Sequence, residues 1–474
     1  MIAFLAGLAL LAIGYFVYGR FVEKIFGIHT HSTPASEYYD GVDYVPLSMP
    51  KNAMIHLLNI AGTGPVFGPI MGALFGPAAF ILIPVGNIIG GAVHDFFIGM
   101  ISLRNKGAHM PQLAGYFLGK PMKHIVNVFA VILLILLGTV FVRSPADLLV
   151  KLFGGQSLYW GLAIYLYYAV ATVLPIDKFI ARIYPYFGCL LLFSAVAIFF
   201  GILIKYPQLF PEFTIKNLHP ENLPIFPMFF MTVTCGLLSG FHATQAPIIS
   251  RTLQNENQGR KIFYGMMVLE GFIAMVWAGA AMIVYNKAGI FNIGHFGGPA
   301  GIVDEISMDI FGSVIGSVVV LGVIVLPITS GDTSFRGLRM ILADYMGLKQ
   351  ARISNRFLIV IPMFLLSIIL FFVDFNVLWR YFSWANQTTG TISLFIASGY
   401  LFIKKKNYWV TLIPAVFMLM ATTSYLGNAK IGFGLEWPQA YIWGGLTSFA
   451  LLTLFLWRSL RARRRNMPTD HILN

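Results

Sequence analysis

Two glycine- and proline-rich stretches interrupt segments of this chain that are otherwise hydrophobic. They are Ile60-Ala-Gly-Thr-Gly-Pro-Val-Phe-Gly-Pro-Ile70 and Cys235-Gly-Leu-Leu-Ser-Gly-Phe-His-Ala-Thr-Gln-Ala-Pro247. Glycine and proline weaken a helix, and backbone that cannot complete its helix at membrane depth must be buried in protein or line a cavity. A matched pair of such segments, one in each half of a chain, indicates the substrate site of a transporter. The pattern therefore predicts a secondary transporter.

The first stretch predicts a helix start that binds an anion. Gly62, Thr63 and Gly64 would present backbone N–H groups at the beginning of a half-helix, where the positive end of the helix dipole attracts a carboxylate. Pro65 fits the first turn of such a helix. The alternative is that these glycines only let helices pack closely. We favour substrate or ion contact, because glycine and proline are denser here than packing requires.

The second stretch supplies polar side chains beside its break. The candidate substrate-binding residues in it are Ser239, Gly240, His242, Thr244 and Gln245. A histidine can carry a proton near neutral pH. A lone histidine is as often a hydrogen-bonded structural residue, so both roles stay open for His242.

Two acidic residues lie inside hydrophobic segments, Asp95 within 78–102 and Glu270 within 263–285. An ionisable group inside the bilayer costs about 2.5–3.5 kcal/mol on insertion scales and is a functional candidate for that reason. We predict that both take part in ion coupling, as counterparts in two halves of the chain. The alternative for Asp95 is that it reaches water near the end of its segment.

Hydroxyl and carboxyl groups close the hydrophobic segment 313–330. They belong to Thr329, Ser330, Asp332 and Thr333. Hard oxygen ligands of this kind suit a sodium ion, and with the aspartate added the same pocket could take a proton instead. The alternative is a helix C-terminal cap that is followed by a basic loop containing Arg336. We favour a coupling-ion site and leave the ion open.

A polar and aromatic cluster follows segment 356–373. It consists of Arg380, Trp384, Asn386 and Gln387. Aromatic residues collect where a membrane meets water, so we favour an interfacial belt for this cluster.

The composition indicates an integral membrane protein. Of the 474 residues, 57% are hydrophobic and 11% are charged, with a mean hydropathy of +0.76, a mixture that no soluble core uses. The net charge of +13 does not indicate a nucleic-acid partner, because the basic residues form short clusters between apolar runs, as at 404–406 and 461–465. Cys189 and Cys235 show no Cys-x-x-Cys spacing, so we predict neither disulfides nor a metal site.

Hydrophobic windows of helical span length predict an all-α protein with about thirteen transmembrane helices. The windows are 2–18, 54–75, 78–102, 123–142, 158–174, 185–204, 225–245, 263–285, 313–330, 356–373, 385–403, 408–425 and 438–458. With this count the loops richest in Lys and Arg, at 103–122, 246–262 and 331–355, fall on one side. Basic loops are cytoplasmic. We therefore predict an outside N-terminus and a cytoplasmic C-terminus with a basic tail at 459–474.

In this topology the two interrupted segments run in opposite directions and lie five spans apart. That arrangement predicts an inverted repeat of five plus five helices, with repeats at 54–204 and 225–403 and an unwound first helix in each. One helix would precede this core and two would follow it. The whole chain, 1–474, is predicted to be a single transporter domain.

The local sequences resemble the carbon starvation protein CstA family across nearly the whole chain, in the family's order. The blocks that carry the resemblance are Thr33-Pro34, Asp40-Gly-Val-Asp-Tyr-Val-Pro46, Ile60-Ala-Gly-Thr-Gly-Pro65, Gly91-Ala-Val-His-Asp-Phe96, Ser239-Gly-Phe-His-Ala-Thr-Gln245, Ile328-Thr-Ser-Gly-Asp-Thr-Ser334 and Trp379-Arg-Tyr-Phe-Ser-Trp-Ala-Asn-Gln387. The resemblance implies a multi-pass inner-membrane carrier of the amino acid, polyamine and organocation transporter superfamily. This chain is shorter than the longer members of the family.

The resemblance also implies import of pyruvate or a similar carboxylate, or of peptides, coupled to H⁺ during carbon starvation. A Na⁺-coupled peptide or amino-acid transporter is the alternative within the same class. A channel or a membrane-embedded enzyme is the alternative from another class, but the chain has no His-Glu-x-x-His helix, nucleophile elbow or phosphate loop, so no enzyme and no cofactor are predicted. The expected partners are a small-molecule substrate, a coupling cation and the lipid bilayer; the oligomeric state is left open.

Overall fold

A computed structural model describes residues 1–29, 32–173, 180–350 and 352–464. All of the regular elements in these ranges are helical. The main helices are α1 (Ile2–Phe26), α2 (Met49–Ile60), α3 (Gly64–Phe75), α4 (Ala79–Arg104), α5 (Met110–Leu118), α6 (Lys120–Phe153), α7 (Ser157–Val173), α8 (Ile180–Lys205), α9 (225–232), α10 (Gly240–Ser250), α11 (Glu256–Ala288), α12 (Pro299–Met346), α13 (Ile353–Phe371), α14 (Phe375–Ile403), α15 (Trp409–Asn428) and α16 (Trp437–Arg464).

The helices have the length and apolarity of a multi-pass membrane protein. Among the described residues, nine helices are long and apolar enough to cross a bilayer, and the pair α2 and α3 joins them as a tenth candidate that is bent by 48°. Each hydrophobic window of the sequence overlaps one of the helices. The membrane class is therefore confirmed, whereas the number of spans stays a prediction.

Both predicted interruptions of helices are present. The first lies between α2 and α3 at 61–63, and the second lies between α9 and α10 at 233–239, where Gly236 has a φ of +81°. Side-chain amides replace the backbone partners that are missing at the second break. Asn87 of α4 donates to the Gly236 carbonyl at 2.9 Å, and Asn386 of α14 accepts from the Phe241 N–H at 2.8 Å.

The predicted loop 331–355 is wrong over most of its length. Helix α12 continues to Met346, with its one internal departure from helical geometry at Gly312. A hydropathy window ends at the first run of polar residues, but these polar groups are paired inside the protein: Ser334, for example, donates to the Leu134 carbonyl at 2.8 Å. The interpretation of Thr329 and its neighbours as a helix cap therefore fails. Helix α5 likewise occupies part of the predicted loop 103–122.

The C-terminal helix α16 extends to Arg464, and the rest of the predicted basic tail lies outside the described residues. The tail and the orientation of the termini remain predictions.

A buried ion cluster joins the loop before α2 to α12. The Asp43 carboxylate accepts a hydrogen bond of 3.0 Å from Arg339 and lies 3.8 Å from the guanidinium of Arg336. Burial alone would raise the pKa of the Asp43 carboxyl, but the positive charges of Arg339, Arg336 and Arg251 hold that pKa below its ordinary value. The cluster fixes the chain that leads into the first broken helix.

Replacing Asp43 with Asn should lower the free energy of unfolding by about 3–5 kcal/mol, because it leaves buried guanidinium groups without their carboxylate. The folded-state pKa lies below the unfolded one, so the carboxylate stabilises fully above its unfolded pKa and loses this effect as the pH falls through the folded pKa. Thermal unfolding midpoints of wild type and Asp43→Asn in detergent should thus differ at neutral pH and converge in acid.

The matched control for this measurement is Glu212→Gln, which neutralises an exposed carboxylate. An Asp43→Asn midpoint equal to that of the control at neutral pH would contradict the stabilising role of the cluster.

Candidate functional site

The two helix breaks lie against each other. A Cβ atom added to Gly64, at the start of α3, would lie 2.2 Å from Sγ of Cys235 in the second break. A Cβ atom added to Gly68 would lie 3.1 Å from the carbonyl oxygen of Thr232. Only glycine permits backbones to approach this closely. The sequence predicted substrate contact or close packing for the first stretch, and Gly64 takes part in close packing.

The first break carries buried polar groups. Gly62 packs against the ring of Phe141, where an added Cβ atom would lie 2.2 Å from the ring. Among the described residues, no hydrogen-bond partner reaches the Thr63 hydroxyl or either amide atom of the buried Asn59. A buried polar group without a partner is costly, and such groups are expected where a ligand binds.

The second break is held by α14. The Ser239 hydroxyl lies 3.1 Å from Oδ1 of Asn386, and Gly240 packs against the Asn386 carbonyl. The Thr244 hydroxyl donates to the Phe241 carbonyl of its own helix at 2.6 Å. Gln245 donates to Thr244 at 3.1 Å, and within the described part of the chain its Oε1 has no partner. Among the described residues, the ring nitrogens of the predicted His242 likewise have no hydrogen-bond partner, so both Gln245 and His242 offer polar atoms to a ligand.

The interfacial interpretation of Asn386 and Gln387 is wrong. Both side chains are fully buried, and Gln387 donates to the Phe230 carbonyl of α9 at 2.8 Å. Hydropathy places them near the end of a segment, but it does not show that this part of α14 faces the second break instead of the membrane surface.

A histidine, a carboxylate and a thiol meet beside the second break. Nε2 of His242 lies 3.5 Å from Oε1 of Glu270, and both side chains have no solvent exposure. The Sγ atom of Cys235 lies within 4.8 Å of a ring nitrogen of His242 and of a carboxylate oxygen of Glu270. The 3.5 Å between His242 and Glu270 is an ion-pair distance, and it is longer than a normal N–H···O hydrogen bond. The group can hold a proton at the point where the breaks meet.

Asp95 forms a second buried pair, which the sequence did not predict. Its Oδ2 lies 2.6 Å from Nε2 of His56 in α2, and both side chains have no exposure. The alternative in which Asp95 reaches water therefore does not hold. The structure pairs each acidic residue with its own histidine and does not bring Asp95 and Glu270 into contact with each other. His56 lies in the hydrophobic window 54–75, so the rule that singled out Asp95 would have found it.

The predicted coupling-ion residues divide into two groups. The hydroxyls of Thr329 and Ser330 lie 3.1 and 2.9 Å from the Leu58 carbonyl, in the last turn of α2 before the first break. Thr333 bonds back to carbonyls of its own helix. Thr329 and Ser330 thus place their hydroxyl oxygens beside the Leu58 carbonyl oxygen, next to the first break.

Asp332 contacts two tyrosines instead of the Leu58 carbonyl. The hydroxyls of Tyr167 in α7 and Tyr184 in α8 each donate to the buried carboxylate at 2.7 Å. Tyr184 also lies 2.8 Å from the Thr329 carbonyl, which connects the two groups. Neither tyrosine was predicted, since a tyrosine in an apolar helix gives no signal in the sequence by itself.

The chain matches a known family over most of its length. The model of the family described as carbon starvation protein CstA matches residues 1–151, 125–295 and 279–425. An uncharacterized membrane protein of Haemophilus influenzae is 43% identical over 341 residues, which cover 60% of this chain and 92% of that protein. The peptide transporter CstA of Escherichia coli is 24% identical over 574 aligned positions, covering 90% of this chain and 82% of that protein.

A pyruvate/proton symporter of Escherichia coli, BtsT, is 27% identical over 350 residues, covering 59% of this chain and 48% of that protein. Among solved structures, a mutant of the manganese transporter of Eremococcus coleocola superposes with a TM-score of 0.56 at 12% identity, covering 90% of this chain and 99% of that chain. At this identity the likeness concerns the fold alone.

Contact between the breaks can be tested by a compensating pair of substitutions. Gly64→Ala should cost about 1–3 kcal/mol through overpacking, since its new methyl group overlaps the Cys235 side chain. Cys235→Gly in the same protein should restore part of that loss, because the nearest remaining atom, the Cα of residue 235, is 3.5 Å away. The measurement is the thermal unfolding midpoint in detergent.

Gly90→Ala is the matched control, because its added Cβ atom meets nothing closer than 3.7 Å. If Gly64→Ala behaved like this control, or if Cys235→Gly gave no rescue, the two breaks would not be in contact.

Proposed function

This chain belongs to the carbon starvation protein CstA family, and we propose that it is a secondary active transporter that imports a small carboxylate such as pyruvate, or a peptide, together with protons. Its setting would be the inner membrane, with the N-terminus outside and the C-terminus in the cytoplasm, and its use would be nutrient uptake during carbon starvation. Relatives that carry a functional name are transporters, and the chain is not an enzyme.

The observation that carries this proposal is the crossing of two broken helices around buried polar groups. Helices α3 and α10 both begin at this crossing, with Gly64 and Gly240 as their first residues. Helix N-termini favour anions, which fits the carboxylate of pyruvate or of a peptide. Gly62, Thr63, Ser239, His242, Thr244 and Gln245 complete the proposed substrate site.

The proposed architecture has repeats of five helices at 54–204 and 225–403, in opposite orientations. The position of a break in the first helix of each repeat supports it. Rocking of one repeat against the other around a fixed central site would give alternating access. This arrangement supports transport over a channel, since a channel needs no such arrangement.

Proton coupling is proposed to involve three buried carboxylates, those of Asp332, Glu270 and Asp95. All three have no exposure and lie on helices that pack around the breaks. A carboxylate held inside the bilayer by hydroxyl or imidazole groups is the usual element of a proton relay. The relation to a relative named as a pyruvate/proton symporter supports H⁺ as the ion.

A second candidate is sodium coupling, which one observation favours. Thr329, Ser330 and the Leu58 carbonyl offer three oxygen atoms within a small space at the end of α2. Neutral oxygen ligands from hydroxyls and carbonyls suit a hard cation.

Uptake of labelled pyruvate into proteoliposomes under an inward proton gradient, an inward sodium gradient or neither separates these candidates. We expect accumulation with the proton gradient alone, together with saturation and counterflow. Accumulation driven by sodium alone would establish the second candidate. Equilibration without accumulation under either gradient would contradict active transport and favour a channel, and no uptake at all would leave peptides as the substrate to be tested.

Replacing Asp332 with Asn should abolish gradient-driven uptake and spare exchange, because the amide cannot bind and release a proton. The matched control is Glu305→Gln, an exposed carboxylate on the same helix. Driven uptake by Asp332→Asn at the level of this control would contradict a coupling role for Asp332.

A further inference from the structure

A third buried histidine, His94, adjoins both His–carboxylate pairs: it precedes Asp95 in the chain, and its ring lies beside that of His242. His94 of α4 has no solvent exposure. Its Nδ1 atom contacts the carbonyl oxygen of Gly91 in its own helix, and its Nε2 atom lies 2.9 Å from the carbonyl oxygen of Ser239 in the second break. Both ring nitrogens of His94 therefore face backbone carbonyl oxygens.

Carbonyl oxygens accept hydrogen bonds and cannot donate them. A neutral imidazole has one N–H group and one lone pair, so it can donate to one of the two carbonyls and must point its lone pair at the other. An imidazolium has two N–H groups and satisfies both. The two carbonyl oxygens therefore favour the protonated ring, while the complete burial of His94 opposes the charge.

The charges around His94 permit a cation there. The Asp95 carboxylate is next to it in α4 and is paired with His56 of α2, while the Glu270 carboxylate of α11 lies against His242. The ring of His242 lies nearly parallel to that of His94, with 5.9 Å between their centroids. Two carboxylates thus stand beside three imidazoles, and a proton on His94 leaves the group without excess positive charge when at most one of His56 and His242 is also charged.

We propose that His94 binds the coupling proton and that this proton holds the second helix break in the conformation seen here. Ser239 directly precedes α10, whose N-terminus forms one side of the proposed substrate site. When the imidazolium releases a proton to water on the open side of the membrane, the ring keeps one N–H group. The bond to Gly91, three residues away on the same helix, is the one it can keep, so the bond to Ser239 is lost.

Proton release would thereby free the start of α10, which links the protonation state to the shape of the substrate site. The inference rests on the proposed proton-coupled transport and adds the residue and the hydrogen bond that couple the two. It also gives the histidine of the His94–Asp95 dipeptide a role that is separate from that of its neighbour.

The test uses the whole protein in proteoliposomes with labelled pyruvate. His94→Gln cannot bind and release a proton, and we expect it to lose proton-driven accumulation while it retains counterflow. The exposed His295→Gln is the matched control and should accumulate pyruvate as the wild type does. Full driven accumulation by His94→Gln would overturn the proposal. Absence of proton-driven pyruvate accumulation in the wild type would instead contradict the proposed pyruvate–proton transport, which is a separate outcome from failure of the variant alone.

A direct measurement decides the matter if His94→Gln fails to fold. The chain has ten histidines, and ¹⁵N NMR of the histidine-labelled wild type distinguishes an imidazolium from a neutral ring. We expect the His94 resonances, assigned through selective labelling of the Val93–His94 pair, to be those of an imidazolium at neutral pH. A neutral ring with one protonated nitrogen would overturn the proposal.

Discussion

Backbone groups that leave a helix inside a membrane must find hydrogen-bond partners within the protein, and the architecture here depends on how two broken helices meet this requirement. Side chains of other helices supply the partners. Asn87 and Asn386 serve the second break, while Thr329 and Ser330 reach the last turn of α2 before the first. The residues that make the breaks possible are thus the same ones that fix the surrounding helices in place.

The crossing of the breaks also explains where the titratable groups lie. Glycine at Gly64 lets α3 approach Cys235 closely, and this contact brings the start of α3 against the second break, which ends where α10 begins at Gly240. Around it lie the buried pairs His242–Glu270 and His56–Asp95, with His94 between them. Burying such groups has a cost that packing alone does not require. A function that moves protons past an anion site gives a reason for that cost.

The sequence predicted the breaks because glycine, proline and polar residues are conspicuous in an apolar segment. It predicted Asp95, Glu270 and His242 by the same contrast, but it did not predict which groups pair, since His56 and Asp95 are separated by 39 positions and no local pattern connects them. Asn386 was misinterpreted because hydropathy cannot distinguish a helix end at the membrane surface from one buried against another helix. The extent of α12 was underestimated because its polar residues find partners only in the folded protein.

The proposed substrate site lies where the two helix breaks cross. Cryo-electron microscopy of the protein in lipid nanodiscs with saturating pyruvate, beside a preparation without it, tests this directly. We predict additional density in contact with the N-termini of α3 and α10, between Thr63 and Ser239. Density for pyruvate at any other position, with both helix starts unoccupied, would contradict the account.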